Sequence, residues 1–153
     1  MQALQTMFSP HLVDTRLVIF HKQATSARLR FVCFRHGLFA FGATDDSELE
    51  LMDEDEDAAP RSAVEWHPAT LQRMAEGYLG LQAGASSMEP EFHAVARTNK
   101  GFLRLRALAL TAIDPPFAAI ERIGGRFISI TEARSMNALE REALRRVYAH
   151  VLG

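Results

Sequence analysis

Arginine alternates with leucine in two stretches of this chain: Arg28 and Arg30 flank Leu29, and Arg104 and Arg106 flank Leu105. Successive side chains of a strand point to opposite faces, so each arginine pair shares one face if its stretch is extended. Arg97 stands on the far side of the turn sequence Asn99-Lys100-Gly101 from the second pair. A guanidinium presents a planar fork of N–H donors that matches the two oxygens of a carboxylate or phosphate. If both stretches belong to one sheet, Arg28, Arg30, Arg97, Arg104 and Arg106 make a basic face for an anionic partner. The plainer alternative is that strands with one solvated face commonly carry arginine outward and bind nothing with it.

The opposite charge is concentrated elsewhere. Residues 45 to 57 hold nine carboxylates and no base: Asp45, Asp46, Glu48, Glu50, Asp53, Glu54, Asp55, Glu56 and Asp57. Of 19 acids in the chain this leaves 10 against 17 Lys plus Arg, so a chain of net charge −2 is a basic domain with an acidic insert. The run Asp53, Glu54, Asp55, Glu56 and Asp57 is a candidate surface for steering a basic protein partner. Within the molecule, the same segment is a charge-matched cover for the arginine face, which salt would weaken. A solvated loop that only aids solubility is the bland reading. Nucleic-acid binding is disfavoured, because net charge is slightly negative and aromatics do not interleave with the bases in a recognised motif.

Catalytic and metal-binding patterns are sparse. The histidines at 11, 21, 36, 67, 93 and 150 include no pair four residues apart and no HExxH, and the lone Cys33 forms no knuckle, so no metal site or cofactor motif is read. Glu91 and His93 would share a strand face and orient an imidazole for base chemistry, although a solvated histidine beside a carboxylate is the commoner meaning of that spacing. Cys33, between Val32 and Phe34, reads as a small buried hydrophobe on the face of Leu29 and Phe31. Gly124-Gly125 follows a helical stretch and precedes a strand, the reverse of a phosphate-binding loop, and reads as a helix stop. Gly84-Ala85-Ser86-Ser87 lacks the nucleophile elbow.

These residues need elements to hold them. Thr15 to Lys22 has the β-branched and aromatic content of a first strand. Ala27 to Arg35 alternates as a second, and His36-Gly37 then turns the chain back into Leu38 to Phe41, so residues 27 to 42 read as a tight hairpin. Ser47 to Met52 alternates Glu and Leu and adds a short edge strand before the acidic run. Pro68 begins a helix whose stripe is Leu71, Met74, Ala75, Tyr78 and Leu79, and Gly80 and Gly84 end it. Glu91 to Thr111 forms a second hairpin about Asn99-Lys100-Gly101. Asp114 and the two prolines after it start a short helix through Ile123, and Arg126 to Ile130 returns as a strand. Asn137 and Glu140 have the spacing of a capping box for a last helix with Leu144, Val147, Tyr148, Val151 and Leu152 inward.

The expected fold is α+β in two layers: a mostly antiparallel sheet of five to seven strands, with two main helices and one short helix packed on it. At 153 residues, 48% hydrophobic and 24% charged, a single domain with its own core spans 1–153, carrying an acidic loop at about 45–62. Apolar residues on both faces of Leu38 to Phe41 and Phe102 to Leu110 exceed what one helical layer covers, which suggests a homodimer. No secretory signal, no apolar window near 18 residues and one cysteine point to a reducing, cytoplasmic setting without a membrane. The functional expectation is a non-enzymatic interaction protein binding a charged partner through the arginine face or the acidic segment. The alternative is a small enzyme or anionic-ligand binder with an Arg/His-lined pocket.

Overall fold

A computed structural model describes residues 15–41, 50–51, 67–98 and 101–153. The strands are β1 Thr15–Lys22, β2 Leu29–Cys33, β3 Phe39–Ala40, β4 Glu50–Leu51, β5 Ser86–Met88, β6 Ala94–Thr98, β7 Gly101–Leu110 and β8 Arg126–Ile128. The helices are α1 Pro68–Leu79, α2 Phe117–Arg122 and α3 Ala138–Leu152, with a 3-10 helix at Ile130–Ser135. One sheet takes all eight strands in the order β4-β6-β7-β1-β2-β8, with β3 also on β1 and β5 also on β7.

The α+β class stands, but the sheet is mixed rather than mostly antiparallel. Its two central strands, β1 and β7, run parallel in register from Thr15↔Arg104 to His21↔Leu110, while the other described pairings are antiparallel. Helices cover both faces, so the molecule has three layers and not two. On one face α3 and the 3-10 helix bury Val18, Phe20, Phe31, Leu103, Leu105 and Ala107 against Leu139, Ala143, Leu144 and Val147. On the other, α1 and α2 bury Leu17, Ile19, Val32, Leu108 and Leu110 against Leu71, Ala75, Leu79 and Ile120. A parallel pair covered on both sides is where continuous apolar runs belong, and β1 is buried from Thr15 to His21. Of the apolar residues in Leu38 to Phe41 and Phe102 to Leu110, all but Phe41, Phe102 and Ala109 are buried within the chain.

Each central strand has an interrupted neighbour on its outer edge. Phe20 faces Phe31 while Val18 faces Phe39, so β2 and β3 are one line of pairing on β1 with an excursion between them. The expected 27 to 42 hairpin is therefore replaced: Phe34 and Gly37 make one isolated bridge, and the returning residues pair with β1 instead. The excursion is pinned from α3, where the buried Glu140 accepts the Leu38 N–H at 2.7 Å and the Asn137 N–H at 3.3 Å. A Cβ on Gly37, whose φ is 134°, would strike that carboxylate. Likewise β5 and β6 both pair with β7, at Met88↔Leu108 and Ala94↔Leu105, and Glu89 to His93 bulge out between them. Such interruptions re-aim side chains that an unbroken strand would alternate.

The local signals explain the helices. Pro68 opens α1, and His67 caps it by accepting the Ala69 N–H on Nδ1; Gly80, at φ 70°, closes it. The Asn137–Glu140 capping box is present at the start of α3. The short helix starts at Phe117 with Pro116 as its cap, later than Asp114 suggested, because a residue that precedes a proline is pushed out of the helical region, and Asp114 and Pro115 both do so. Gly124, at φ 80°, ends it, and the Arg35 guanidinium lies where a Cβ would sit. Beyond β8 the chain enters the 3-10 helix rather than extending the strand to Ile130, because Ser129 and Glu132 form a second capping box. No helix of the described residues is long and apolar enough to cross a membrane.

Candidate functional site

Strand β7 divides its side chains between the two faces by parity. Leu103, Leu105 and Ala107 enter the core beneath α3, which leaves Arg104, Arg106, Leu108 and Leu110 on the α1 face. Leu108 and Leu110 lie under the apolar stripe of α1, whereas Arg104 and Arg106 lie beyond it and line a cleft of about 610 Å³. The remaining walls include Pro68, Leu71 and Gln72 of α1, Met88 of β5, Val95 of β6 and Thr15 of β1. Pro90 and His93, from the excursion between β5 and β6, close one side. The guanidiniums are half-buried. Cα atoms two apart on a strand are about 6.5 Å apart, so a single small ligand can meet both side chains.

Side-chain clasps hold the roof of this cleft. The Gln72 Oε1 accepts the Met88 N–H at 3.3 Å, fastening α1 to β5. One turn on, the buried Glu76 takes three donors on Oε2: the Gly84 N–H, the Ser86 N–H and the Ser86 hydroxyl, at 3.1, 3.0 and 2.7 Å. A buried carboxylate is tolerated when its oxygens are so satisfied, and in return it locks the connection from α1 into β5. The cleft is thereby a built feature of the α1–β5–β7 packing.

The five sequence-predicted arginines fall into two groups. Arg104 and Arg106 share the cleft, and Arg97 is exposed on the same face of the adjoining strand, at the register position of Phe102. Arg30 has the same facial parity but pairs with His21 rather than Thr15, six residues along β1, about 20 Å away. There it donates to the Gln23 Oε1 at 3.1 Å and lies over the Phe117 ring at 5.8 Å. Arg28 is exposed in the β1–β2 turn, outside β2. The buried Leu17, Ile19, Leu71 and Leu79 lie between the two groups, because α1 and α2 roof the middle of this face.

Of the acidic segment, Glu50–Leu51 form the edge strand β4, with Glu50 opposite Arg97 in the backbone register. Asp53, Glu54, Asp55, Glu56 and Asp57 lie outside the described residues, as does the loop at 45–62 apart from 50–51. Glu91 and His93 do not share a strand face, since β6 begins at Ala94. Both are exposed in the excursion, where His93 Nε2–H donates to the Pro90 carbonyl at 3.1 Å. His93 reaches the cleft; Glu91 is not among its lining residues.

Two histidines escaped the sequence reading. His21 is fully buried, and its Nε2–H donates to the Ala112 carbonyl at 2.7 Å, which fixes the tautomer and leaves Nδ1 without a hydrogen bond. His150 pairs with Glu89 at 3.2 Å beside a second cleft of about 540 Å³ on the α3 face, with Phe92 edge-on to its ring. Neither was legible, because each partner is distant in sequence. Cys33 is half-buried against the α3 core, and burial pushes its thiol above the ordinary range despite the opposing pull of Arg126, which disfavours a nucleophilic thiolate. Among the described residues, no group of three His, Cys, Asp or Glu is arranged to hold a metal ion.

At the first cleft two adjacent guanidiniums supply fixed positive charge, the Thr15 position adds a hydroxyl-bearing residue, and the other walls are largely apolar. Compared with known proteins, the chain matches no family model and no curated sequence.

Proposed function

We propose that this chain binds an anionic partner through Arg104 and Arg106 in the cleft between α1 and β7. The observation that carries this reading is the side-by-side arrangement of two guanidiniums in a concavity of about 610 Å³. Like charges brought together in a partly desolvated recess raise the local potential, and an anion seated between them gains more there than on an open surface. The concave setting favours a ligand over a broad protein-binding face, since the sheet between the two arginine groups is roofed by helices. The volume lies within the ~300–1,000 Å³ span of small-molecule sites.

Calorimetric titration with inorganic phosphate tests this. The wild-type chain binds, the affinity falls as salt rises, and Arg104→Gln with Arg106→Gln abolishes the heat, whereas Arg28→Gln with Arg30→Gln leaves it unchanged. Equal binding by both double variants would refute the assignment.

A further inference from the structure

The second cleft, of about 540 Å³, lies on the α3 face at the opposite end of the central strands from Arg104. Strands β1 and β7 run parallel and both finish there, at Lys22 and Leu110, and the carboxyl ends of neighbouring parallel strands are where open sheets leave room for ligands. The floor is apolar: Phe20 and Ala109 are register partners, and Val151 of α3 packs on the same core. Ala109 is half-buried, whereas Ala107, two residues back, is sealed under α3. The rim is pinned from below. The Thr111 N–H donates to the Ala85 carbonyl at 3.0 Å, the Thr111 hydroxyl donates to the Gly84 carbonyl at 3.4 Å, and the fully buried His21 donates its Nε2–H to the Ala112 carbonyl at 2.7 Å. Next along this fastened stretch, Ile113 lines the cleft and is 86% exposed, the most of any large apolar side chain among the described residues.

Of the described residues, Lys22, Glu89 and His150 bring ionisable side chains to this cleft, and two of them pair with each other, His150 Nε2 lying 3.2 Å from Glu89 Oε1. Lys22 has no hydrogen-bond or ion-pair partner among the described residues. Strand parity puts it on the same face as Phe20, two residues and about 6.5 Å further along β1. We infer that this cleft binds a small apolar monocarboxylate, with its head on the Lys22 ammonium and its body over Phe20 and Ala109, between Val151 and Ile113. Charge complementarity fixes the head, because the Glu89 carboxylate is engaged by His150 and the ammonium is the charge left to be met. The body takes apolar surface of Ala109 and Ile113 out of water. With the rim held by His21 and Thr111, the slot exists before the ligand arrives, so binding does not bear the cost of ordering it. The site uses neither Arg104 nor Arg106 and stands apart from the reading of the first cleft.

The test titrates hexanoate, acetate, hexanol and hexylamine into the full wild-type chain while the Ile113 and Val151 methyl resonances and the His150 ring are followed. Hexanoate is expected to shift all three saturably, and to do so equally in the Arg104→Gln, Arg106→Gln double variant. Affinity is expected to fall about twofold for each methylene removed toward acetate, half the full-burial increment because the cleft stays open to solvent. Hexanol, and hexanoate on the Lys22→Gln variant of this exposed side chain, are each expected to bind about tenfold more weakly. Shifts centred on Val95 and Met88 with Ile113 unmoved, or lost in the double arginine variant, would overturn the site by placing the acid in the first cleft. Acetate as tight as hexanoate would overturn the body assignment. Hexanol as tight as hexanoate would overturn the head assignment, and hexylamine tighter than hexanoate would overturn it by giving the contact to Glu89. No saturable shift with any of the four would remove this cleft as a ligand site and leave the phosphate result at Arg104 and Arg106 untouched.

Discussion

The two faces of the sheet are built from the same strands and each keeps a recess, but the one on the α1 face is lined by two arginines. Beneath α3, the middle of β1, β6 and β7 gives Val18, Phe20, Ala94, Ala96, Leu103, Leu105 and Ala107, with Arg16 and Lys22 at the two ends of β1. A helix of 15 residues and the 3-10 helix before it close that side. Beneath α1 the same strands give Leu17, Ile19, Leu108 and Leu110 at one end and Arg104, Arg106 and Thr15 at the other, and the 12-residue α1 roofs the apolar end. The contrast sets a sheet face whose centre is apolar against one that ends in two half-buried guanidiniums.

The largest effect should come from breaking the closed face. Leu144 is fully buried, and Leu144→Ala is expected to cost about 2–5 kcal/mol in urea unfolding while phosphate affinity per folded molecule is retained. Arg104→Gln should do the converse, lowering stability by about 1 kcal/mol or less and anion affinity by tenfold or more. Next come the two buried carboxylates, one on each face. Glu140→Ala and Glu76→Ala each strand buried N–H donors and should each cost about 2–3 kcal/mol. They differ in the second readout: only Glu76→Ala frees the cleft wall and weakens anion binding.

Much of the architecture was written locally. Pro68, Gly80, Asn137 with Glu140, and Gly124 each mark a helix end through φ or N–H chemistry that acts over a few residues. Strand parity was equally readable, and it places Arg104 and Arg106 on one face as expected. What parity does not encode is which part of a face a helix will roof, since α1 reaches Leu108 through a contact far along the chain. The parallel pairing of β1 with β7 was missed for a related reason. Its trace in the sequence is the unbroken run Leu17-Val18-Ile19-Phe20, which signals a strand covered on both sides, and that signal was available. The supposed hairpin at 27 to 42 failed because Glu140, a hundred residues away, captures the Leu38 N–H.

Smaller effects refine the comparison. Asn137→Ala removes the acceptor for the Glu140 N–H and should cost about 1 kcal/mol on the closed face, with no change in ligand binding. Two carboxylates on that side, the exposed Glu132 and the half-buried Glu142, have lowered pKa values: Glu132 through hydrogen bonds from the Ser129 N–H and hydroxyl, and Glu142 through its pairing with Arg145. A carboxyl lowered on folding contributes stability above its unfolded pKa and loses it as pH falls through the folded one. The urea midpoint should therefore decline slightly as pH drops below the ordinary glutamate range, and added salt should reduce that decline.

The central claim, that the open end of the α1 face is an anion site, is tested most directly by following backbone and arginine Nε resonances while phosphate is added. Saturable shifts confined to Thr15, Met88, Val95, Arg104 and Arg106, with His150 and Arg30 unmoved, are the predicted result. Shifts centred on Arg28 and Arg30, or none that saturate, would contradict it.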